Sequence, residues 1–151
     1  MATATDPIRL FVTHVWEESE DYGRLFEYLE SAGTFYYKNT SLPGVRRPGG
    51  AEGEREELRR QIAPAEVIVC VPGAWRRDPD LVQFQLTFAK AAGRPIVAME
   101  QFGAVGDLPP SVKGLADEIS AWNERNLVDA LRRQARHERT SRWETIDFKL
   151  D

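Results

Sequence analysis

The chain has 151 residues, of which 42% are hydrophobic and 29% are charged, and its formal net charge at pH 7 is -4. This length and composition are typical of a globular chain with one hydrophobic core, so we expect a single domain over residues 1–151. The negative charge argues against a nucleic-acid partner, which would need basic patches for phosphate contacts.

The sequence also lacks the usual features of membrane and secreted proteins. No apolar stretch approaches the roughly 20 residues that span a bilayer, and residues 1–7 show no basic and apolar signal pattern. The single cysteine, Cys70, lies in an apolar run and has no second cysteine to pair with. We therefore expect a cytoplasmic location, no membrane partner, and a buried structural cysteine rather than a nucleophile.

Strand and helix patterns alternate through the first half of the chain. Residues 8–12 are β-branched and aromatic, as in a strand, and residues 22–29 repeat apolar residues at helical spacing. A second strand is expected over 36–38. A loop rich in Pro and Gly is expected over 42–53, before a charged helix over 54–62.

The alternation continues through the second half. The near-continuous apolar run 67–71 is typical of a central strand covered on both faces, and a helix is expected over 81–92. A fourth strand follows over 95–99, a short fifth strand over 119–122, and a last helix over about 125–138. Such βαβ alternation predicts a flavodoxin-like α/β fold, a three-layer sandwich around a five-stranded parallel sheet of order 2-1-3-4-5.

Polar and aromatic residues follow three of the predicted strands. His14 and Trp16 follow the first strand, Asn39 and Ser41 follow the second, and Trp75 follows the third. In an open parallel sheet, ligands bind beyond the carboxyl ends of the strands where the strand order reverses, here between the first and third strands. We therefore expect these residues to converge on one crevice.

Each of these residue types has both a functional and a structural interpretation. A histidine near neutral pH acts as an acid or base or contacts phosphate, but at a strand end it also satisfies backbone groups. Tryptophan stacks on flat rings or simply packs in the core. Asparagine and serine recognise sugar or amide groups, yet before proline they are also ordinary turn residues. The residues alone leave these alternatives open.

Several enzyme classes lack their signatures in this chain. There is no Gly-x-Gly-x-x-Gly turn, no Walker-type Gly-Lys-Ser or Gly-Lys-Thr, and no Gly-x-Ser-x-Gly elbow. Two histidines and one cysteine, far apart in sequence, do not make a metal cluster, so no metal is expected. A flavin-binding or receiver-like relative shares the predicted topology, but the acidic pair and lysine pattern of a receiver are missing.

The strand-end segments resemble TIR-like domains related to the ThsB proteins of Thoeris antiphage defence. That family carries Ser-His-Ser-Trp after a strand and a later Lys-Asn-x-Ser-x-Pro. In this chain the corresponding segments are Thr-His-Val-Trp at 13–16 and Lys-Asn-Thr-Ser-Leu-Pro at 38–43. The resemblance continues through 89–96, 116–119 and 122–123, and covers almost the whole chain.

The resemblance implies a domain that takes up NAD+ as its substrate and cleaves the bond between nicotinamide and ribose. The ADP-ribose unit would pass to water or another acceptor, giving a nucleotide immune signal. Self-association or an activating protein is the expected partner. His14 is assigned to the catalytic site. The residues assigned to binding the nucleotide are Thr13, Trp16, Asn39, Ser41 and Trp75.

In related enzymes a glutamate on the helix after the third strand is the central catalytic group, and alignment through 89–95 puts Gln85 there. Glutamine keeps the shape of glutamate but lacks the charge that stabilises an oxocarbenium-like ribose. Three explanations stay open: Gln85 was introduced to trap a ligand, it is natural in a binding-only member, or the alignment is out of register. The rival function is therefore a non-catalytic module that binds a nucleotide or a protein.

Overall fold

A five-stranded parallel sheet forms the centre of the computed structural model, which describes residues 2–101 and 108–138. The strand order is β2-β1-β3-β4-β5, and all four neighbouring pairs are parallel. This confirms the flavodoxin-like α/β fold and the strand order predicted from the sequence. The strands are β1 (Ile8–Val12), β2 (Tyr37–Asn39), β3 (Val67–Cys70), β4 (Ile96–Met99) and β5 (Glu118–Ser120).

Helices pack on both faces of this sheet. The described helices are α1 (Glu20–Ser31), α2 (Gly50–Ile62), α3 (Pro72–Arg77), α4 (Pro79–Ala91), α5 (Pro110–Lys113) and α6 (Glu124–Arg136). Helix α1 contacts α6, and α2 contacts α4. None of the helices in the described part of the chain is both long and apolar enough to cross a lipid bilayer.

The hydrophobic core lies along the three inner strands. Every residue of β3 and β4 is buried, as expected for parallel strands that are covered by helices on both faces. Register is set by pairs such as Phe11 with Ile68 and Ile68 with Ile96, which run across the middle of the sheet. The two edge strands, β2 and β5, are partly exposed.

The loop predicted over 42–53 is shorter than expected, because α2 begins at Gly50 rather than at residue 54. Three glycines between 49 and 53 lower the intrinsic helix propensity of this stretch and hide the first turn of the helix. Gly49 precedes the helix with a left-handed backbone, φ 110°. The acidic first turn and basic last turn of α2 then complement the helix dipole.

Helix α3 was not expected from the sequence. Pro72 occupies the first turn of this short helix, where a missing N–H has no cost. Trp75 therefore lies on a helix rather than on a loop. Strand β2 starts and ends one residue later than predicted, so Asn39 is its last residue.

Candidate functional site

Three strand-end loops meet at one edge of the sheet. Strand β1 pairs with β2 on one side and with β3 on the other, so their carboxyl ends are neighbours. Direct hydrogen bonds join the loops: His14 bonds to Gln61, Gln61 bonds to Leu42, and the Thr13 hydroxyl accepts from the Val71 N–H. The loops that the sequence places at the point of strand-order reversal are thus in contact.

Gln85 lies on α4 with its side chain fully buried, against the backbone of His14. Its Oε1 accepts from the His14 N–H at 3.2 Å, and its Nε2 donates to the His14 carbonyl oxygen at 2.8 Å and to the Leu81 carbonyl oxygen at 3.2 Å. A carboxylate could accept the first bond but could not donate the other two. A glutamate at this position would therefore face two carbonyl oxygens.

The imidazole of His14 is buried and bonded through both ring nitrogens. Nδ1 accepts from the Trp16 backbone N–H at 3.2 Å, and Nε2 lies 2.9 Å from Oε1 of Gln61. Because a backbone N–H only donates, Nδ1 carries no proton and Nε2–H is the donor to Gln61. Burial lowers the pKa of His14 below its ordinary value, against the opposing effects of the Gln61 hydrogen bond and the Glu57 charge.

The Gln61 amide bonds to both backbone polar groups of Leu42, as the Gln85 amide bonds to those of His14. Its Oε1 accepts from the Leu42 N–H at 2.8 Å, and its Nε2 donates to the Leu42 carbonyl oxygen at 3.1 Å and to Glu57 at 3.0 Å. Sequence reasoning missed both Gln61 and Glu57. The available signal was their spacing of four on α2, beside the buried apolar pair Leu58 and Ile62.

Glu57 is a buried carboxylate that forms ion pairs with two arginines. Arg60 donates to it at 2.7 Å, and Arg47, from the preceding loop, lies 3.5 Å away. Burial acts to raise the pKa of Glu57, but hydrogen bonds from Gln61 and Arg60, with the charges of Arg60 and Arg47, hold it below the usual value. The carboxylate is therefore ionised at neutral pH and orients the Gln61 amide.

Asn39 and Ser41 form a turn that Tyr22 closes. The Asn39 side-chain oxygen accepts from the Ser41 N–H at 2.9 Å and also from the Ser41 hydroxyl. Tyr22, buried on α1, bonds to Ser41 at 2.8 Å and accepts from the Asn39 amide at 3.1 Å. Their polar groups are thus used within the protein, as in the structural interpretation of these residues.

Thr13 directly follows β1 and joins it to β3. Its N–H donates to the Val69 carbonyl oxygen at 2.9 Å, and its hydroxyl accepts from the Val71 N–H at 3.1 Å. Beneath it, burial raises the pKa of the Cys70 thiol to about 12, so the thiolate does not form at neutral pH. Cys70 is a buried structural residue, as the sequence predicts.

Two tryptophans at this edge, Trp16 and Trp75, have buried indole N–H groups that find no hydrogen-bond partner among the described residues. Trp16 has a left-handed backbone, φ 67°, which is rare for a large side chain. Its ring meets the His14 ring edge-on, with centroids 4.9 Å apart. Trp75 lies on α3, and the Arg76 guanidinium is 5.8 Å from the centre of its ring.

The start of α3 is filled by a carboxylate of the protein itself. Asp21, which is 5% exposed, accepts from the Gly73 N–H and from the Ser19 hydroxyl, both at 2.6 Å. Arg76 lies 3.9 Å from the same carboxylate. A cavity of about 340 Å³ opens beside them, which is at the lower end of the range for small-molecule sites.

A larger cavity lies at the opposite end of the sheet. About 860 Å³ in volume, it is lined by residues near the amino ends of the strands, including Arg9 of β1, Glu66 before β3, Lys90 of α4 and Asp117 before β5. These charges are paired with each other, Lys90 with Asp117 at 2.7 Å and Arg9 with Glu66 at 3.6 Å. The candidate site stays at the carboxyl edge, because the motif residues and the reversal of strand order are there.

Comparison with known proteins adds little to this geometry. No family model and no curated protein matches the sequence. A solved structure of a 3-dehydroquinate dehydratase-like protein from Bifidobacterium longum is similar, with 11% identity over 85% of this chain and 94% of that chain and a TM-score of 0.43. At this level the similarity carries no argument about activity. The strand order and the edge described above define an α/β protein with a flavodoxin-like topology.

Metal-binding side chains do not cluster at this edge. In residues 2–101 and 108–138, no group of three or more His, Cys, Asp or Glu side chains is arranged to hold a metal ion. The polar side-chain atoms of His14, Gln61 and Gln85 are bonded to each other, to backbone groups or to Glu57. These three side chains are thus engaged within the protein, while among the described residues the buried indole N–H groups of Trp16 and Trp75 have no partner.

The free energy of unfolding is expected to fall as the pH drops below about 6.5. Folding keeps His14 neutral, whereas the imidazole of the unfolded chain takes up a proton near its ordinary pKa of 6.5. The unfolded state then binds more protons than the folded state, so stability rises with pH across this window. Urea unfolding at about pH 7.5 and about pH 5.5 measures the slope, which His14→Gln should reduce.

The control for this slope uses the second of the two histidines in the sequence. In a His137→Gln variant, His14 is the only imidazole, so its titration is followed directly by NMR. A His14 signal that titrated at or above pH 6.5 would contradict the expected slope.

Proposed function

We propose that this chain is a TIR-like domain that takes NAD+ at the carboxyl edge of its sheet, as in the nucleotide signalling of Thoeris antiphage defence. The observation that supports this most is the bonding of Gln85 to the His14 backbone, across 71 positions of sequence. Position 85, where related enzymes carry a glutamate, thereby adjoins the loop after β1. That placement favours the alignment on which the resemblance depends.

The proposed reaction is cleavage of the bond between nicotinamide and ribose, with transfer of ADP-ribose to water or another acceptor. Positive charge develops on the ribose in such a reaction, and a nearby carboxylate stabilises it. Gln85 brings no charge, so turnover by this chain is expected to be about 100- to 1,000-fold slower than with glutamate. In this form the domain binds NAD+ and cleaves it slowly.

The residues proposed to hold NAD+ are Trp16, Trp75 and Arg76. Both tryptophans are partly exposed, and their rings are proposed to stack on a flat ring of the ligand. Arg76 is about half exposed over Trp75 and supplies a positive charge for phosphate. The Asn39 amide and the Ser41 hydroxyl bond to Tyr22, so we assign both residues to holding the loop after β2 in place.

One observation favours a second candidate, a TIR-like module that binds a nucleotide or a protein without catalysis. Both donor positions of the Gln85 amide are used by the carbonyl oxygens of His14 and Leu81. The amide is therefore a structural group with no donor left for a ligand. Under this candidate Gln85 is native, and a glutamate in its place yields no turnover.

The proposal includes a cytoplasmic location and a protein partner, either a second copy of the chain or an activator. Leu42 and Val45 lie in the loop between β2 and α2, and their side chains are 45% and 44% exposed. We propose that these two side chains are part of the surface that the partner covers. The activity is therefore best measured with an activating extract present.

The test incubates NAD+ with the protein and with its Gln85→Glu variant, with and without lysate from phage-infected cells, and analyses the products by mass spectrometry. We expect both forms to bind NAD+, and we expect nicotinamide release by the glutamate form to be at least about 100-fold faster. The matched control is Gln83→Glu, which makes the same change on the same helix at a partly exposed position.

The outcomes separate the two candidates, provided that a related active enzyme confirms that the lysate contains a trigger. Release of nicotinamide by the Gln85→Glu form, and not by Gln83→Glu, supports the NAD+-cleaving domain. Binding of NAD+ without turnover in either form supports the binding module. Failure of every form to bind or consume NAD+ would rule out the proposed function.

A further inference from the structure

A buried polar network, defined here as Glu57, Gln61 and His14, connects the middle of α2 to the loop after β1. Each member is at most 3% exposed. Glu57 bonds to Gln61 at 3.0 Å, Gln61 bonds to His14 at 2.9 Å, and His14 accepts from the Trp16 N–H at 3.2 Å. The network therefore ends on the backbone of a residue proposed to hold the ligand.

The orientation of the Gln61 amide is fixed from two sides. The Leu42 N–H only donates and the Leu42 carbonyl only accepts, which assigns Oε1 and Nε2 of Gln61 without ambiguity. The Glu57 carboxylate, held ionised by Arg60 and Arg47, accepts from the same Nε2. Reversing the amide would place donor against donor at the Leu42 N–H, and acceptor against acceptor at the Leu42 carbonyl and at Glu57. The Gln61 Oε1 therefore stays directed at His14.

The orientation of Gln61 in turn selects one form of His14. Because the Gln61 oxygen accepts, the proton of the neutral imidazole must be on Nε2 of His14. Nδ1 then has a free lone pair that accepts from the Trp16 N–H. The opposite tautomer would put an N–H at Nδ1 against the Trp16 N–H and break that bond. The Nδ1 bond spans the left-handed turn at Trp16, where φ is 67°.

We propose that Glu57 and Gln61 are positioning residues for the crevice: they fix the His14 tautomer, and through it the backbone and ring of Trp16. Neither residue needs to touch the ligand. The inference rests on the proposed function only for its effect on NAD+ binding. Its structural content concerns His14 and Trp16 and is measured without a ligand.

The experiment compares the protein with Gln61→Leu and Gln61→Glu. Leucine removes every hydrogen bond of the Gln61 side chain, whereas glutamate keeps an acceptor for His14 Nε2–H and for the Leu42 N–H. Imidazole 15N NMR reports the tautomer, and hydrogen exchange reports protection of the Trp16 amide. We expect the Nε2–H form in the wild type and in Gln61→Glu. In Gln61→Leu we expect mixed tautomers and Trp16 exchange about fivefold faster.

A role of Gln61 in stability alone would not produce this difference in tautomer between Gln61→Glu and Gln61→Leu. Glutamate beside Glu57 is expected to destabilise the protein more than leucine does, and yet to keep the tautomer. The matched control, Gln83→Leu, removes a partly exposed glutamine of α4 and should leave both signals unchanged. NAD+ affinity is measured on the same samples and should fall about fivefold in Gln61→Leu alone.

Two results would overturn the inference. One is an Nδ1–H tautomer or an imidazolium at His14 in the wild-type protein at neutral pH, which needs no variant to fold. The other is an unchanged tautomer and unchanged Trp16 exchange in folded Gln61→Leu. If no form bound NAD+, the proposed function would fail, while the imidazole and amide signals would still decide the inference.

Discussion

Gln85→Glu is expected to lower the free energy of unfolding by about 3–5 kcal/mol at neutral pH, even though it changes one group and no shape. The side chain at position 85 is fully buried, and it donates to the carbonyl oxygens of His14 and Leu81. A carboxylate loses both donations and sets its charge against both oxygens. The His14 N–H is the one donor in contact with it that remains.

The loss should depend on pH in a direction opposite to that of the wild type. Burial and the two carbonyl oxygens raise the pKa of a glutamate at this position, so the folded state binds a proton more tightly than the unfolded state. Stability of Gln85→Glu relative to wild type therefore recovers as the pH falls through that raised pKa. Urea unfolding at about pH 7.5 and about pH 5.5 measures the difference.

Gln85→Leu is the control for charge. It loses the bond from the His14 N–H as well as both donations to carbonyl oxygens, but it adds no titratable group, so its stability deficit should not change with pH in this window. An equal and pH-independent loss in both variants would contradict a buried carboxylate at this position.

Gly73→Ala is expected to destabilise the protein by about 2–4 kcal/mol. A Cβ at this position would lie 2.4 Å from Oδ1 of Asp21 and 2.8 Å from Cβ of Ser19. Asp21 is buried and bonds to the Gly73 N–H, so it has little room to move aside. The substitution therefore separates α1 from α3 and breaks the bond that satisfies the start of α3. Chemical unfolding measures the loss.

The matched control is Gly23→Ala in the interior of α1. A Cβ there meets nothing within 4 Å, and alanine is the better helix former, so this variant should be more stable by about 0.5–1 kcal/mol. The change from glycine to alanine is thus expected to lower the free energy of unfolding at position 73 and to raise it at position 23. Destabilisation of similar size at both positions would contradict the close approach of Asp21 to Gly73.

The sequence was enough to predict the sheet, because each of these strands is recognised from the pattern of a few adjacent residues. The apolar run that became β3 and the β-branched segment Ile8–Val12 of β1 are read from a few adjacent residues. Parallel strands with right-handed crossovers then leave few orders to choose from. The ends of the elements were less predictable, as at α2, where glycines obscure the first turn.

The interior of the site was less predictable, because its bonds join residues far apart in sequence. His14 and Gln61 are 47 positions apart, and Gln61 lies on a helix whose charged sequence looks solvent-exposed. The same applies to Asn39 and Ser41, whose partner Tyr22 lies on another element. Residue type alone does not distinguish a polar side chain that meets a ligand from one that meets the protein.

A glutamine side chain ends in the same amide group that forms the backbone. Gln85 and Gln61 each offer that group to both polar atoms of one loop residue, His14 and Leu42, as a neighbouring strand would. Hydrogen bonding of the sheet type is thus extended past the last residues of β1 and β2 by two helices. The loops are ordered when the protein folds, so a ligand that binds there loses little conformational entropy in ordering them.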